Sequence, residues 1–434
     1  MIIVFVVSDV LFATGLADTG VRQAMVLVAG ICAWLAAFLL LRRVAGSQLL
    51  LVSLLLFTGV GLLLYVAFNG GAENSTRVAT AISGNAGLLS MIITVGFLKL
   101  IALPDLAVDD SPLPRGRRAF LDTMITVALF GSFINISAPV LIADRLSLRA
   151  PLTPVAAATL TRVFSGSSSW SPFFGGMAVV LTYVQADLLP LMGGGLPFAI
   201  IGFAVAYLLG ITWHRRDLAD FRGYPMKLSS LWIPAMLALT VMAFAWLMPR
   251  LSILAVIALG ALAMTALALL ITRGLNATLR AVGDFIVNEL PKSVNELVLF
   301  LAAGVLGAGL AGLVDLGVIS ISIDHFDATT ASLLLGGIIL GAICGIHPII
   351  QVASLTPLLS TISPDPVLLA LTYLFGWSLG TCGGPLSGTH LIFQGRYGIA
   401  SWQGALRNWP YVVIMYAIAV LLLHLYGQFW LLAS

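Results

Sequence analysis

Apolar residues run along this chain in stretches as long as a bilayer crossing, with polar residues gathered between them. A spanning helix needs about 20 apolar residues. Runs at roughly 2–17, 24–41, 48–69, 80–103, 195–213, 229–248, 251–272, 295–320 and 409–431 approach or meet that length, and each predicts a helix. Two further regions, 119–190 and 328–396, are as apolar but are cut by Pro, Gly, Ser and isolated polar groups. The sharpest cut is "GTCGGPLSGTH" (380–390), directly after the apolar run Pro366–Leu379.

Charge between the runs sets their direction. Arg42 and Arg43 follow the second run, and Arg115, Arg117 and Arg118 the fourth. His214, Arg215, Arg216, Arg222 and Lys227 share one loop, and Arg273, Arg280 and Lys292 another. Basic loops stay cytoplasmic, which puts the N-terminus and the loop 104–118 inside. Arg145 and Arg149 stay inside if 119–148 is a hairpin that enters from the cytoplasm and returns to it. The segment 152–190 then crosses outward. A second hairpin, 328–361, enters from outside, 365–395 crosses inward, and the last run carries the C-terminus out. The expected architecture is an all-α polytopic membrane protein with about eleven spans and two re-entrant hairpins. The N-terminal stretch lacks a basic n-region, so it predicts a membrane helix rather than a cleaved signal.

The two interrupted regions match each other. Pro139 pairs with Pro348 at an offset of 209, Pro154 with Pro366 at 212, and Pro172 with Pro385 and Gly175 with Gly388 at 213. The loop charges give the two copies opposite directions. Inverted repeats with broken helices characterise secondary transporters, whose sites lie at the repeat interface. Irregular backbone at membrane depth is tolerated only inside protein or beside a water-filled cavity. The expected organisation is N-terminal scaffold helices in 1–79, repeat one in 80–213, connecting helices and cytoplasmic loops in 214–292, and repeat two in 293–434.

Composition removes other classes. The 434 residues are 60% hydrophobic and 9% charged, against roughly 25% charged in soluble domains. With a net charge of +3 and its Lys and Arg confined to short loops, the chain offers no nucleic-acid face. Cys32, Cys344 and Cys382 are scattered, with no CxxC, so neither a disulfide framework nor a zinc site is expected. No GxxxxGK[ST] occurs, which argues against ATP-driven transport.

With "NISAP" (135–139) and "SGSSSWSPFFGG" (165–176) in one copy, and "GIHPI" (345–349) and "GTCGGPLSGTHLIFQGRYGIASWQGALRNWP" (380–410) in the other, the chain resembles the ion transporter superfamily over roughly 80–431. The likeness is greatest to the divalent anion/sodium symporter branch. In that branch each repeat has a polar-tipped hairpin followed by a helix broken at a Gly/Pro-rich turn. Its Ser-Asn-Thr tips are absent here, and only Asn135 and Ser137 match them. The resemblance implies alternating access by hairpin and broken helix against a scaffold that dimerises.

Candidate residues cluster at the tips and breaks. Arg162 lies within an apolar stretch before the first break, where a charge needs a partner or a task. Its guanidinium could hold an anionic group of a substrate or tie helix-end carbonyls. Ser165, Ser167, Ser168, Ser169 and Ser171 follow it, and a half-helix starting near Phe173 would aim free amides at an anion. His347 and His390 flank the breaks of repeat two and could carry a coupling proton or donate neutral hydrogen bonds. Thr381, Ser387 and Thr389 add hydroxyls beside His390. Asn135, Ser137, Ser167, Thr381 and Ser387 form a candidate sodium set of oxygen ligands. The acids weighed, from Asp122 to Asp365, fall near span ends or in loops, which speaks against a carboxylate proton relay.

The function expected from these features is secondary transport of a small anion, an organic acid, coupled to Na+ or H+. It would act as a homodimer in the inner (plasma) membrane, with no cofactor and no enzymatic activity. A neutral or zwitterionic solute is the near alternative. An integral membrane transferase is the distant one, since the loops are short.

Overall fold

A computed structural model describes the chain except for residues 71–73, 102–113, 149, 214–217, 219–220, 225–231, 249, 322 and 430–434. Arg149, His214, Arg215, Arg216 and Lys227 of the basic loops therefore lie outside the described residues. Among those described, regular structure is helical, apart from one isolated bridge between Arg115 and Arg222. Seven helical stretches among them are long and apolar enough to cross a membrane: Thr19–Leu39, Gln48–Asn69, Ser75–Ile101, Leu188–Trp213, Ile253–Asp315, Pro366–Tyr397 and Ser401–Gln428. Shorter apolar helices accompany them. The protein is an all-α polytopic membrane protein.

The eleven expected crossings all coincide with helices, but not all as single long ones. The run 2–17 holds a 12-residue helix, α1 (Ile2–Ala13), and 229–248 a 16-residue one, Trp232–Leu247. The run 80–103 is divided between α4 (Asn74–Ser83) and α5 (Ala86–Gly96). The stretch Ile253–Asp315 contains two successive crossings, α12 (Ile253–Asp284), which is broken by a kink at Gly274, and α13 (Val294–Asp315). In this numbering α2 is Thr19–Leu39, α3 is Gly46–Asn69 and α11 is Trp232–Leu247.

The chain folds as two compact units. One comprises Met1–Ile101, Ala235–Asp324 and Val352–Ser363. Its tightest packing sets α3 on α13 through small residues. A Cβ added at Gly59 would lie 2.7 Å from the Leu306 amide, and one at Gly309 would lie 2.9 Å from the Gly59 carbonyl. Glycine allows this approach where lipid supplies no hydrophobic drive between helices. The helix ends are tied by polar pairs. Arg22 Nε meets Asp9 Oδ1 at 2.8 Å, the Ser252 hydroxyl donates to the same carboxylate, and Arg77 meets Asp315 at 3.2 Å. At the other ends, the Ala45 amide donates to Asn295 Oδ1 at 3.1 Å. Each contact joins ends that the loop charges assign to a common face.

Asp9 corrects one expectation. It lies inside the first apolar run with its side chain only 1% exposed, so an acid does occur within a span. Its ion pair with Arg22 and its hydrogen bond from Ser252 explain why burial is tolerated.

The second unit comprises Ala102–Pro234, His325–Gln351 and Pro364–Ser434. It holds nearly all of both interrupted regions. The first hairpin is α6 (Gly116–Ile134) and α7 (Ser137–Ser147), and the first broken helix is α8 (Pro154–Gly166) and α9 (Gly175–Val184). After α10 (Leu188–Trp213), the second hairpin is α14 (Ala328–Ile343) and the start of α15 (Pro348–Leu359). The second broken helix is α16 (Pro366–Gly383) and α17 (Gly388–Tyr397), and α18 (Ser401–Phe429) ends the unit.

The matched prolines share a local cause. Thr153 and Asp365 each accept from a backbone amide at the third residue of α8 and α16, and each cap precedes a Pro at the first helical position. Such a cap and a Pro with no amide to satisfy together fix a helix start. The two starts lie at opposite ends of α18. Pro154 and Arg407 line one cavity, whereas Asp365 accepts from the Tyr426 hydroxyl at 3.2 Å. Arg407 and Tyr426 are separated by about 28 Å of helix at 1.5 Å per residue, so the two broken helices enter the unit from opposite ends. Of the most apolar window in Pro366–Tyr397, 89% is buried, against 22% for α2. The broken helices are thus clad in protein, as their irregular backbone requires.

In a background lacking native cysteines, single cysteines at Leu148 and Gly395 should react with an impermeant maleimide from one side of the membrane, and one at His325 only from the other. Reaction of all three from the same side would break the proposed path of the chain through the second unit.

Candidate functional site

Both hairpins turn on a residue with positive φ, Asn135 (52°) and Gly345 (92°). Glycine adopts positive φ freely, whereas Asn135, with a ψ of −140°, lies outside the left-handed well that Asn tolerates. Each turn then meets the break of its own repeat. Asn135 Nδ2 donates to the Phe173 carbonyl at 3.1 Å, and a Cβ added at Gly345 would lie 2.7 Å from Leu386 Cδ1. Phe173 and Leu386 each follow the matched Pro of their break. The tips also reach across. Ile136 Cδ1 lies 3.4 Å from the Cβ position of Gly388, and the His347 ring stands edge-on to Trp377 at 5.6 Å, whose indole covers Gly176. Two tips and two breaks therefore converge in the second unit.

The broken helices cross there. Ser378 Oγ donates to the Ser165 carbonyl at 2.9 Å, and these residues are separated by 213 positions, the offset of the repeat itself. Equivalent residues can touch only near the axis that relates the two copies, so this contact lies close to that axis.

The serines of the first break are buried and committed to backbone. Ser165, Ser168 and Ser169 donate to carbonyls three residues earlier, and Ser169 also to Gly195 at 3.1 Å. Ser167 donates to Ala128 at 3.3 Å, and Ser171 to Ser132. The turn is thus a rigid plug, and its hydroxyl oxygens retain only lone pairs for a ligand. The second break differs. Among the described residues, the buried Ser387 Oγ and Thr389 Oγ1 have no hydrogen-bond partner, and Thr389 is only 1% exposed. Buried hydroxyls without partners are unusual. Ser387 is also the N-cap of α17, yet its side chain makes no capping bond, and Phe174 cannot cap α9. Both half-helices therefore begin with amides their caps leave open, and their dipoles favour an anion.

Arg162 is 3% exposed. Its Nε donates to Asn408 Oδ1 at 2.9 Å and its Nη2 to the Arg407 carbonyl at 2.6 Å. Two of its nitrogens thus tie α8 to α18. Asn408 Nδ2 in turn donates to the Cys382 carbonyl at 3.2 Å, and His390 Nε2 donates to that same carbonyl at 2.9 Å. The break after Gly383 frees this carbonyl. His347 Nδ1 accepts from the Ile349 amide at 3.3 Å, capping α15. His347 therefore serves as an acceptor through Nδ1 and His390 as a donor through Nε2. Ser137 opens α7 and Thr381 sits in the last turns of α16, both half-buried. Phe375, at the repeat position matching Arg162, stacks on Phe198 at 4.3 Å, so only one copy carries the charge.

Sequence reasoning passed over Asn408 and Ser378. Asn408 had a usable signal, a polar amide just before the apolar run of α18. Ser378 had none beyond the repeat offset.

Arg162→Gln should leave the Asn408 and Arg407 oxygens short of donors, at about 1–3 kcal/mol for each buried group. Its thermal midpoint in detergent should fall, and Arg162→Gln/Asn408→Leu should recover part of the loss. A wild-type midpoint for Arg162→Gln would mean that the tie contributes nothing. Gly195→Ala should be the more damaging of two glycine changes, because its Cβ would lie 1.7 Å from the Ser169 carbonyl, whereas Gly193 has nothing within 4 Å. Equal midpoints for the two alanine variants would contradict the rigid-plug description.

No family model and no curated protein matches the chain. Among solved structures it is similar to that of the YdaH transporter of Alcanivorax borkumensis, described as having an unusual topology, with a TM-score of 0.55 and 14% identity over 86% of this chain and 98% of that one. At that identity the likeness is one of fold.

Proposed function

We propose that this chain is a secondary active transporter that moves a small anionic solute, an organic acid, across the membrane by alternating access. The observation that carries the reading is the convergence of two hairpin tips and two helix breaks around open half-helix N-termini, beside the unpartnered hydroxyls of Ser387 and Thr389. Open amides at two dipole ends recognise an anion without a nearby acid. The solved structure of similar fold is that of a transporter, which supports the class.

Arg162 then acts as a positioning residue. It holds the start of α18, and through Asn408 the Cys382 carbonyl, while its charge adds to the field at the site. Sodium is the coupling ion this reading favours. Neutral oxygens at the tips and breaks, around Asn135, Ser137, Ser167, Thr381 and Ser387, suit a hard cation. The two histidines are occupied by backbone partners, and Asp9 is held by Arg22. The working protein in this reading is a homodimer in the plasma membrane.

A thermal-shift screen of organic acids, with and without Na+, should identify a stabilising solute. Its uptake into proteoliposomes should follow an imposed Na+ gradient. Thr389→Val, close in shape and lacking the hydroxyl, should keep the wild-type midpoint yet lose at least about tenfold in uptake. Uptake driven by a pH gradient alone would replace sodium with a proton. Full activity in both Thr389→Val and Ser387→Ala would remove the second break from the site, and stabilisation only by zwitterions would remove the anion.

A further inference from the structure

The second unit contains another cavity, of about 540 Å³, away from the tips and breaks. Its walls are the end of α7 (Leu146), the connector and first turn of α8 (Thr153 to Ala156), the segment Phe221–Arg222, and Arg407 from the first turns of α18. That volume falls in the range that holds small organic ligands. Among the described residues, the half-buried Arg222 and the exposed Arg407 line it and no acid does. Among the described residues, no hydrogen bond or ion pair engages either guanidinium. The acid nearest along α7, Asp144, is taken up by Arg396 at 2.9 Å and by the Tyr397 hydroxyl at 2.7 Å.

Two features make this more than a basic loop beside a membrane. First, Arg222 is pre-positioned. The Gly116 amide donates to the Phe221 carbonyl at 3.0 Å, and the Gly223 amide donates to Pro114 at 2.9 Å, so the backbone on both sides of Arg222 is pinned to the start of α6. Gly223 permits this, because a Cβ there would lie 2.1 Å from the Ala119 carbonyl. Second, the α8 N-terminus leaves one donor over. Pro154 has no amide hydrogen, the Ala156 amide is taken by Thr153 Oγ1, and that of Ala157 by the Thr153 carbonyl. The Val155 amide is left without a partner among the described residues, in a residue that is 7% exposed and lines the cavity. A free amide at a positive helix end and two arginines that are unpaired among the described residues thus line one cavity, the elements that recognise an oxyanion.

We propose that this cavity is a peripheral anion site, separate from the converging tips and breaks, which binds a carboxylate or phosphate group through Arg222, Arg407 and the Val155 amide. Such a group could be a free anion or the headgroup of an anionic lipid. The site needs no assumption about what the tips and breaks transport.

The test follows the thermal midpoint of the full chain in a neutral maltoside detergent at fixed ionic strength. Inorganic phosphate should raise the midpoint saturably, where chloride does not. Arg222→Gln and Arg407→Gln should each weaken the half-saturating concentration at least about tenfold. Lys292→Gln, which removes a charge elsewhere, should not change it. If Arg407→Gln does not fold, Arg407→Lys should give an intermediate loss, because an ammonium lacks the planar fork. A second arm compares nanodiscs of phosphatidylcholine with and without phosphatidylglycerol. A response to phosphatidylglycerol alone, removed by the arginine variants, upholds the site and names lipid as its occupant. Responses that the arginine variants leave unchanged in both arms, or a phosphate effect that chloride reproduces, would overturn the proposal.

Discussion

The second unit is organised around a single contact, the hydrogen bond from Ser378 to the Ser165 carbonyl, where two repeat-related helices cross. Two broken helices entering from opposite ends of α18 can share a centre only if they are small where they meet. Ser165 and Ser378 supply that at the crossing, and Gly176 of α9 makes room for the Trp377 indole of α16, 2.9 Å from its Cβ position. Gly380 in turn admits the hairpin helix α14, with Ala342 Cβ 2.7 Å from its Cβ position. Once the crossing is fixed, the breaks fall beside it, and each hairpin turn is carried to a break by its own positive-φ residue. The lipid cannot satisfy the backbone exposed at the breaks, so the rest of the unit serves to surround them with protein.

The two copies have diverged in how they use their polar groups. In repeat one the serines spend their hydrogens on carbonyls, and Arg162 spends two nitrogens on α18. In that half the side-chain donors are committed, and only the α9 amides stay open. In repeat two the Cys382 carbonyl is satisfied by His390 and Asn408, while the Ser387 and Thr389 hydroxyls are left open. A site assembled from one copy with committed side chains and one with open hydroxyls suits a solute that is not itself symmetric. The asymmetry also shows in Phe375, which stands where Arg162 stands in the first copy.

Much of this was legible in the sequence, and for physical reasons. Helix length in a bilayer is set by hydrocarbon thickness, so apolar run length located the crossings. Pro and Gly punctuate helices through missing donors and positive φ, so the hairpin turns near Asn135 and Gly345 and the breaks near Pro172 and Pro385 could be read directly. Less legible was anything decided by a side chain's neighbour. Arg162 stood out as a charge in an apolar stretch, but only the fold reveals that Asn408 and Arg407 receive it. The serine cluster looked like a set of hydroxyls open to a ligand until its burial and carbonyl partners were known. Asp9 was readable and missed, since an acid inside an apolar run is itself a signal. The first run looked like a full span, although its helix is only Ile2–Ala13, because composition does not reveal where a helix ends.

The central claim is that the tips and breaks form one anion site facing the open half-helix N-termini. An electron cryo-microscopy map of the purified protein, with its stabilising organic acid and Na+ at saturation, tests it most directly. The account predicts solute density within hydrogen-bonding distance of the amides at Gly175 or Gly388 and of the Thr389 hydroxyl. Density for the same solute at another location, with those amides and that hydroxyl uncontacted, would contradict it.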